Sequence, residues 1–243
     1  MGWFSLPVLN AWRIRRALSP EARARLDQLR TRIDRQAMDM HEALAEPLAL
    51  ARFVCVDFET TGPNMHRDRI ISIGAVAVTD RVVCHDDAFE VVLRQAQSSD
   101  VENILIHQIG GQEQLAGASP VEALMGFLDF MQASIALAFR AEFDETVFRR
   151  EINAVLGLPQ EVLFLDLALI LPALFPNTAN DSLDDWVRHF ALPPIGRHHA
   201  IADAYANAQL MLLVLEQAQR SGMHAVRELV EMEKAQRWLG KRR

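Results

Sequence analysis

The chain has 243 residues, of which half are hydrophobic and 23% are charged, as in an ordinary globular protein with a sizeable core. Two cysteines, Cys55 and Cys84, are too few for a disulfide framework or a four-cysteine zinc site. No apolar run approaches the roughly 20 residues that cross a bilayer, and the N-terminal residues lack a secretory signal pattern. We therefore expect a cytoplasmic protein that is not bound to a membrane.

The net charge of −7 conceals an acidic centre. Residues 1–51 carry 8 basic and 6 acidic groups, residues 52–218 carry 10 and 23, and residues 219–243 carry 7 and 3. A domain at −13 is a poor nonspecific binder of nucleic acid, because contacts to phosphate come from Lys and Arg. It suits nucleic acid only if cations bridge its acids to phosphate or if the basic flanks help.

The chain is predicted to begin with a helical extension over residues 1–51. Ser19 and Pro20 form a helix start, with Ser as N-cap and Pro at the first helical position. Apolar residues then recur at steps of three and four before Pro47, and they form one stripe: Ala22, Leu26, Leu29, Ile33, Ala37, Met40 and Leu44. We expect this stripe to pack on the main domain or on a partner helix. A nucleic-acid arm is the alternative, because the other faces are rich in arginine.

A mixed α/β domain is predicted over residues 52–218. Three strands come first and form a meander: 52–58, 69–80 and 81–94. Helices and strands then alternate, as 119–132, 134–139, 144–157, 161–167, 182–192 and 199–220. This order predicts one mixed sheet with helices packed on it. Residues 219–243 are expected to form a further, basic helix.

Four acids stand at strand ends and helix starts of this domain. Asp57 and Glu59 share one face of the first strand, while Phe58 points to the other face and is expected in the core. Asp144 follows a later strand, and Asp203 lies in the first turn of the last long helix. Singly, each is explained as a helix cap or a solvated acid. Together, at the edge of an α/β sheet, the four acids indicate a ligand site.

The four carboxylates have no matching Lys or Arg nearby in the sequence, and this predicts a site for two hard cations, Mg²⁺ or Mn²⁺. Two such ions can clamp a phosphodiester, so that cations rather than lysines meet the phosphate. His198 lies just before the helix that carries Asp203. Because histidine titrates near neutral pH, His198 could take a proton from the attacking water.

These residues resemble three motifs of one family. "DFETTG" resembles the first motif of the DnaQ-like 3′-to-5′ exonucleases, "AEFDETVF" the second and "HHAIADA" the third, in the family's order. The family has a ribonuclease H-like fold and includes the epsilon proofreading subunit of DNA polymerase III. The resemblance covers roughly residues 52–218. It implies that two metal ions are held by four ligands and that His198, five positions before the last acid, is the general base. The implied ligands are Asp57, Glu59, Asp144 and Asp203.

The resemblance also implies contacts to the substrate. The backbone at Thr60, Thr61 and Gly62 should approach the terminal nucleotide, and Phe143 belongs to the second motif beside its acid. His107 lies in a segment that resembles a substrate-side segment of the family, but a structural role explains it equally well.

The sequence departs from the family's pattern at two places. Phe139 and Arg140 replace the His-Asn pair common in proofreading members, and Gln108 replaces a glycine after the segment's histidine. His199 is an alternative base, because it stands four positions before the last acid, where another branch of the family has tyrosine.

The sequence therefore favours a metal-dependent 3′-to-5′ exonuclease that releases nucleoside 5′-monophosphates from single-stranded or frayed DNA, in proofreading or repair. The alternatives are an exoribonuclease that trims RNA ends, a non-catalytic interaction module on the same fold, and an unrelated phosphoesterase with the same acids. Expected partners are 3′ ends of DNA or RNA and a DNA polymerase or replication protein. No clamp-binding peptide is evident, and the sequence does not determine the oligomeric state.

Overall fold

A five-stranded mixed sheet forms the centre of the protein. The computed structural model describes residues 13–159, 162–176, 178, 180–193, 196 and 198–240, without the side chains of 36–42. The strand order is β3-β2-β1-β4-β5. β1 pairs with β2, and β2 with β3, in antiparallel fashion, whereas β4 and β5 run parallel to β1. The strands are β1 (Phe53–Thr60), β2 (Ile70–Thr79), β3 (Val82–Val92), β4 (Ile135–Ala138) and β5 (Phe164–Asp166). This arrangement confirms the predicted three-strand meander followed by parallel strands.

Helices cover both faces of the sheet. They are α1 (Pro20–Ala45), α2 (Val101–His107), α3 (Gly111–Ala116), α4 (Pro120–Met131), α5 (Glu142–Leu156), α6 (Leu167–Leu174), α7 (Leu183–His189), α8 (Ala200–Arg220) and α9 (Val226–Gly240). The sequence did not predict α2, α3 and α6. The first two are short, and α2 leaves Val101 and Leu105 exposed, so no buried stripe marks it. α6 is apolar on nearly every side and contains Pro172, which hides its period.

Two apolar cores lie on the two faces of the sheet, because alternate residues of β1 point to opposite sides. Phe53 and Cys55 pack with α6, α7, α8 and α9, whereas Val54, Val56 and Phe58 pack with α4 and α5. The Phe58 ring lies 5.8 Å from Phe127 and 5.7 Å from Phe148, centroid to centroid. Phe58 is therefore a core residue, as predicted, and burial of such a side chain stabilises the fold by about 1.5–3 kcal/mol.

The N-terminal helix α1 packs on the main domain. Ser19 Oγ accepts a hydrogen bond from the Ala22 N–H at 3.2 Å, and Pro20 is the first helical residue, as predicted. The middle of the predicted stripe is buried against the core that contains α4: Leu26, Leu29 and Ile33. Ala37 and Met40 of the stripe lie outside the described side chains.

The C-terminal helix α9 packs on α6, α1 and β5. Its apolar residues Val226, Leu229 and Val230 are buried, while Trp238 is 52% exposed. The basic residues 241–243 lie outside the described residues. The proposed boundaries at residues 51 and 218 stay predictions. Within the described residues, no helix combines the length and the apolar character that a membrane span requires.

Candidate active site

The predicted acids gather at one edge of the sheet. Because β1, β4 and β5 are parallel, their carboxyl ends meet there. Asp57 and Glu59 lie near the end of β1, and Asp144 lies in the first turn of α5, which follows β4. The register of β1 against β2 shifts between Glu59 and Thr60. Such irregularities re-aim side chains and are common beside active sites.

Helix α8 brings its acid to this edge because Gly74 of β2 lets it approach. A Cβ atom at Gly74 would lie 2.1 Å from the carbonyl carbon of Ala200 and 2.2 Å from the backbone nitrogen of Ile201. Gly74 is also the residue that pairs with Asp57. The first turn of α8 therefore lies directly on the sheet, and Asp203, one turn into the helix, reaches the end of β1.

A second contact holds α8 in place one turn further on. Asn207 is completely buried, and its Nδ2 donates a hydrogen bond to the carbonyl oxygen of Val56 at 3.1 Å. Residues four apart share one face of a helix, so Asn207 and Asp203 both face the sheet. The sequence offered no signal for Asn207, because its importance arises only from the contact with β1.

Three of the four predicted acids form one group of possible metal ligands. Carboxylate oxygens of Asp57, Glu59 and Asp203 all lie within 4.8 Å of one another. Asp203 is buried and the other two are half-buried. A set of oxygen ligands suits Mg²⁺ or Mn²⁺.

The fourth acid, Asp144, is buried beside this group. Burial raises the pKa of Asp144 to about 8, and the charges of Asp166 and Glu59 act in the same direction. Hydrogen bonds from the backbone N–H groups of Asp144 and Phe58 oppose the rise. A cation bound at this edge would favour the ionised form of Asp144.

Asp166 is a fifth acid at this edge that the sequence reasoning missed. Its Oδ1 accepts hydrogen bonds from the backbone N–H groups of Arg140 and Ala168, each at 2.9 Å. Arg140 has a φ of 61° and lies in the connection that delivers Asp144. Asp166 therefore holds this connection in a conformation that costs energy for a residue other than glycine. Burial also raises the pKa of Asp166.

The two adjacent histidines have different surroundings. His198 is exposed, precedes the N-cap of α8 and has a φ of 60°, in the left-handed region. His199 is that N-cap, and its Nδ1 lies 3.8 Å from Oε1 of Glu90 on β3. The ring of His199 is thus directed towards the outer strand.

The turn after Glu59 is held by its own side chains. Thr60 Oγ1 donates to the Gly62 carbonyl oxygen at 2.7 Å. Thr61 exchanges two hydrogen bonds with the backbone of Arg69, at 2.9 and 3.0 Å. A Cβ atom at Gly62 would lie 2.6 Å from the carboxylate of Asp68, so a glycine suits this close approach. The two hydroxyl groups therefore shape the turn.

His107 lies in the interior and acts on the turn through Asn103. Its Nδ1 accepts the Ile109 N–H at 3.0 Å, so Nε2 carries the proton and donates to Asn103 Oδ1 at 2.7 Å. Asn103 Nδ2 then donates to the Thr60 carbonyl oxygen at 3.0 Å. Burial lowers the pKa of His107. These contacts favour the structural role for His107. Phe143 is half-buried and packs against the core beside α4 and α5.

Comparison with known proteins agrees with this geometry. Residues 54–211 match the exonuclease family RNase_T. The chain belongs to this exonuclease family. The predicted relationship to the DnaQ-like exonucleases is thereby confirmed.

Within the exonuclease family, the relatives are much longer proteins. The chain is 32% identical over 185 residues to the PolC-type DNA polymerase III of Thermotoga maritima, a match over 76% of this chain and 13% of that protein. It is 25% identical over 198 residues to the 3′-5′ exonuclease DinG of Staphylococcus aureus, over 77% of this chain and 21% of that protein. The chain thus spans only a small part of these relatives.

Solved structures of Escherichia coli exonuclease I share the fold. A complex of that enzyme with a dT13 oligonucleotide matches with a TM-score of 0.60 and 19% identity, over 70% of this chain and 42% of the other. A product-bound structure of exonuclease I matches with a TM-score of 0.59 and 18% identity, over 70% of this chain and 45% of the other. At this identity the likeness establishes the fold alone, and it confirms the predicted ribonuclease H-like sheet.

Proposed function

We propose that this protein is a metal-dependent 3′-to-5′ exonuclease that hydrolyses single-stranded or frayed DNA and releases nucleoside 5′-monophosphates. The observation that carries the proposal is the convergence of Asp57, Glu59 and Asp203 within 4.8 Å, on a chain of the exonuclease family. Asp144 lies buried beside them, as the family's second motif requires.

The side chains at this edge fit two Mg²⁺ or Mn²⁺ ions. All the candidate ligands are carboxylates, which are the groups that these ions prefer. Burial raises the pKa of Asp144, and the charges of Asp166 and Glu59 add to the rise. Asp57, Glu59 and Asp203 would hold the ions, and Asp144 would join them once ionised. Such ions would stabilise the charge on the phosphate and lower the pKa of the attacking water.

His198 is the proposed general base. It stands at the start of α8, in the loop that leads to Asp203, and it is exposed and accessible to water. His199 is less suited, because its ring lies beside Glu90.

The turn at Thr60, Thr61 and Gly62 is the proposed seat of the terminal nucleotide. The Thr61 N–H is hydrogen-bonded to Arg69, and the rest of the turn's backbone can approach sugar and base without reading the sequence. Phe143 lies beside Asp144 in the first turn of α5, and we propose that its exposed part contacts the substrate. A free 3′ end must enter the site, so single strands and frayed ends are the natural substrates.

DNA is the proposed substrate because one similar protein is a DNA polymerase and another was solved with a DNA oligonucleotide. One is a DNA polymerase III of the PolC type, and exonuclease I was solved with a dT13 oligonucleotide. The similarity to a polymerase also supports association with a DNA polymerase, in proofreading or repair.

The test uses single-stranded DNA and RNA of one sequence, labelled at either end, with Mg²⁺, Mn²⁺ or EDTA. We expect a ladder from the 5′-labelled DNA, immediate release of a mononucleotide from the 3′-labelled DNA, and no reaction in EDTA. For Asp203→Asn we expect activity to fall by roughly 10³-fold. Glu216→Gln, which removes an exposed acid at the other end of the same helix, is the matched control and should be active.

The outcomes separate the alternatives. Faster shortening of RNA than of DNA would replace the proposal by an exoribonuclease. Absence of metal-dependent shortening on every oligonucleotide would leave a non-catalytic module and overturn the proposal.

A further inference from the structure

Helix α5 carries a buried acid two turns after Asp144. Glu151 is 2% exposed, and its Oε1 lies 2.6 Å from Nε of Arg69 and 3.3 Å from Nη2 of Arg150. An isolated buried carboxylate is costly, so this one depends on its arginine partners.

Arg69 links this acid to the turn that follows Glu59. Its backbone N–H donates to Thr61 Oγ1 at 3.0 Å, and its carbonyl oxygen accepts the Thr61 N–H at 2.9 Å. The guanidinium of Arg150 donates to the carbonyl oxygen of Met65 at 2.7 Å and to that of Asp68. The loop between β1 and β2 is therefore fastened to α5 at several points.

The end of β1 needs such fastening because its regular pairing ends early. β4 pairs with β1 only from Phe53 to Cys55, and the register against β2 shifts after Glu59. Glu59 lies beyond the pairing with β4 but is still paired with Ser72 of β2, whereas Thr60 and the turn follow the register shift. The β2 ladder therefore holds Glu59 on one side only, and contacts from the loop and α5 can set the position of the turn relative to Asp144.

We propose that Glu151 and Arg69 form a positioning pair for the active site. The pair holds the turn, and with it Glu59, at a fixed place relative to Asp144, so that acids from β1 and α5 meet the same divalent cations and the same nucleotide. This inference rests on the proposed function. A displacement of about 1 Å at such a site can cost roughly 100-fold in rate.

The variants are chosen to keep the fold. Glu151→Gln retains the volume and a hydrogen-bonding group but removes the charge. Arg69→Gln removes the cation from a side chain that is half exposed, and Arg69→Lys retains the charge without the planar fork. Glu216→Gln, which breaks an exposed ion pair with Arg220, is the control.

The measurements are kcat, KM for 5′-labelled single-stranded DNA, and the Mg²⁺ concentration for half-maximal activity, on protein whose fold is verified by circular dichroism. For Glu151→Gln and Arg69→Gln we expect kcat to fall by about 10- to 100-fold and the half-maximal Mg²⁺ concentration to rise at least about threefold. The kcat and the half-maximal Mg²⁺ concentration of Arg69→Lys should lie between those of these variants and those of the native chain. The kcat of the double variant, Glu151→Gln with Arg69→Gln, should be no lower than that of the less active single variant, because the two residues act as one pair.

A purely structural role predicts a different result. If the folded variants keep the native kcat, KM and Mg²⁺ requirement and only their Tm falls, the positioning pair is overturned. The rise in Tm on addition of Mg²⁺ gives a readout without turnover. If the native chain binds Mg²⁺ but cleaves nothing, the proposed function fails, while a smaller Tm shift in Glu151→Gln would still support the pair.

If Glu151→Gln fails to fold, Arg69→Lys tests the positioning pair instead. The Arg69 side chain is half exposed, so the fold accommodates a change there more easily.

Discussion

The acids of this protein fall into two kinds of surroundings. At the sheet edge, Asp57, Glu59 and Asp203 face one another, with oxygens within 4.8 Å, and Asp144 is buried beside them with a pKa raised to about 8. Convergence of like charges costs stability, and the charges of Asp166 and Glu59 add to burial in raising the pKa of Asp144.

The acids of α4 show the opposite arrangement. Asp129 lies 2.6 Å from Arg25 and 3.1 Å from Arg32, both on α1, and Glu122 lies 3.0 Å from Arg25. Here arginines of α1 pair with the acids, and the acids dock a helix. Under the proposed function, the acids at the sheet edge serve to bind cations, whereas the acids of α4 serve structure.

Loss of one acid from the edge should separate activity from stability most strongly. For Asp203→Asn we expect a fall in kcat/KM of roughly 10³-fold, since a lost ligand withdraws several kcal/mol of transition-state stabilisation. The Tm of the metal-free protein should stay equal or rise, because a repulsive charge is gone. A large fall in Tm with activity retained would mean that Asp203 is structural.

Replacement of either histidine before α8 should lower activity by less than Asp203→Asn does, and by unequal factors. For His198→Ala we expect kcat to fall by about 10²-fold, within the usual contribution of a general base. His199→Ala should lose less than about tenfold, because its ring faces Glu90. Parallel single-turnover assays of both variants check this, and the reverse order would make His199 the base.

Substitution of Gly74, where α8 lies closest to the sheet, should give the next largest loss of activity. Gly74→Ala places a methyl group at 2.1 Å from the Ala200 carbonyl carbon, so the start of α8 must move. We expect kcat/KM to fall by roughly 10- to 100-fold and unfolding free energy to fall by about 1–3 kcal/mol. Gly110→Ala, which meets nothing within 4 Å, is the control and should leave both unchanged. Equal activity in the two variants would show that α8 does not set the position of Asp203.

The sequence predicted the elements and acids that carry local signals. Asp57 and Glu59 end an apolar strand, and Asp203 follows a helix start, so their placement followed from strand and helix periodicity. The same reasoning could not identify Gly74 or Asn207, because their roles depend on contacts between β1, β2 and a helix more than a hundred residues away along the chain.

Asp166 and Asn103 were missed for a related reason. Each makes its important hydrogen bonds to backbone groups of another segment, Arg140 and Thr60 respectively, and backbone groups leave no mark in the sequence. Helix α2, which carries Asn103, also lacks a buried apolar stripe. Residue types thus revealed the acids of the site, while the contacts that position them required the fold.

Stability of the metal-free protein should depend on pH through Asp144. Its pKa is raised from the ordinary 3.8 to about 8, so the folded chain holds a proton that the unfolded chain releases. This contribution is complete below about pH 4 and is lost as the pH rises to about 8. In EDTA, the Tm of the native chain should therefore fall more between pH 6 and pH 8.5 than the Tm of Asp144→Asn. Mg²⁺ should reduce this loss at pH 8.5, because the ions replace the proton. Identical pH profiles for the two chains would contradict the burial of a protonated Asp144.

The smallest effect is expected at the acids that have their own cations. Asp129→Asn should lower the free energy of unfolding by about 0–1 kcal/mol, the usual value of exposed ion pairs, and leave kcat/KM unchanged. Leu29→Ala should cost about 2–5 kcal/mol, because this side chain is 1% exposed and anchors α1 in the core. Chemical denaturation of both variants measures these two losses in the free energy of unfolding. If Asp129→Asn proved the more damaging, the ion pairs rather than the apolar stripe would dock α1, and charge would then serve structure here as strongly as it serves chemistry at the sheet edge.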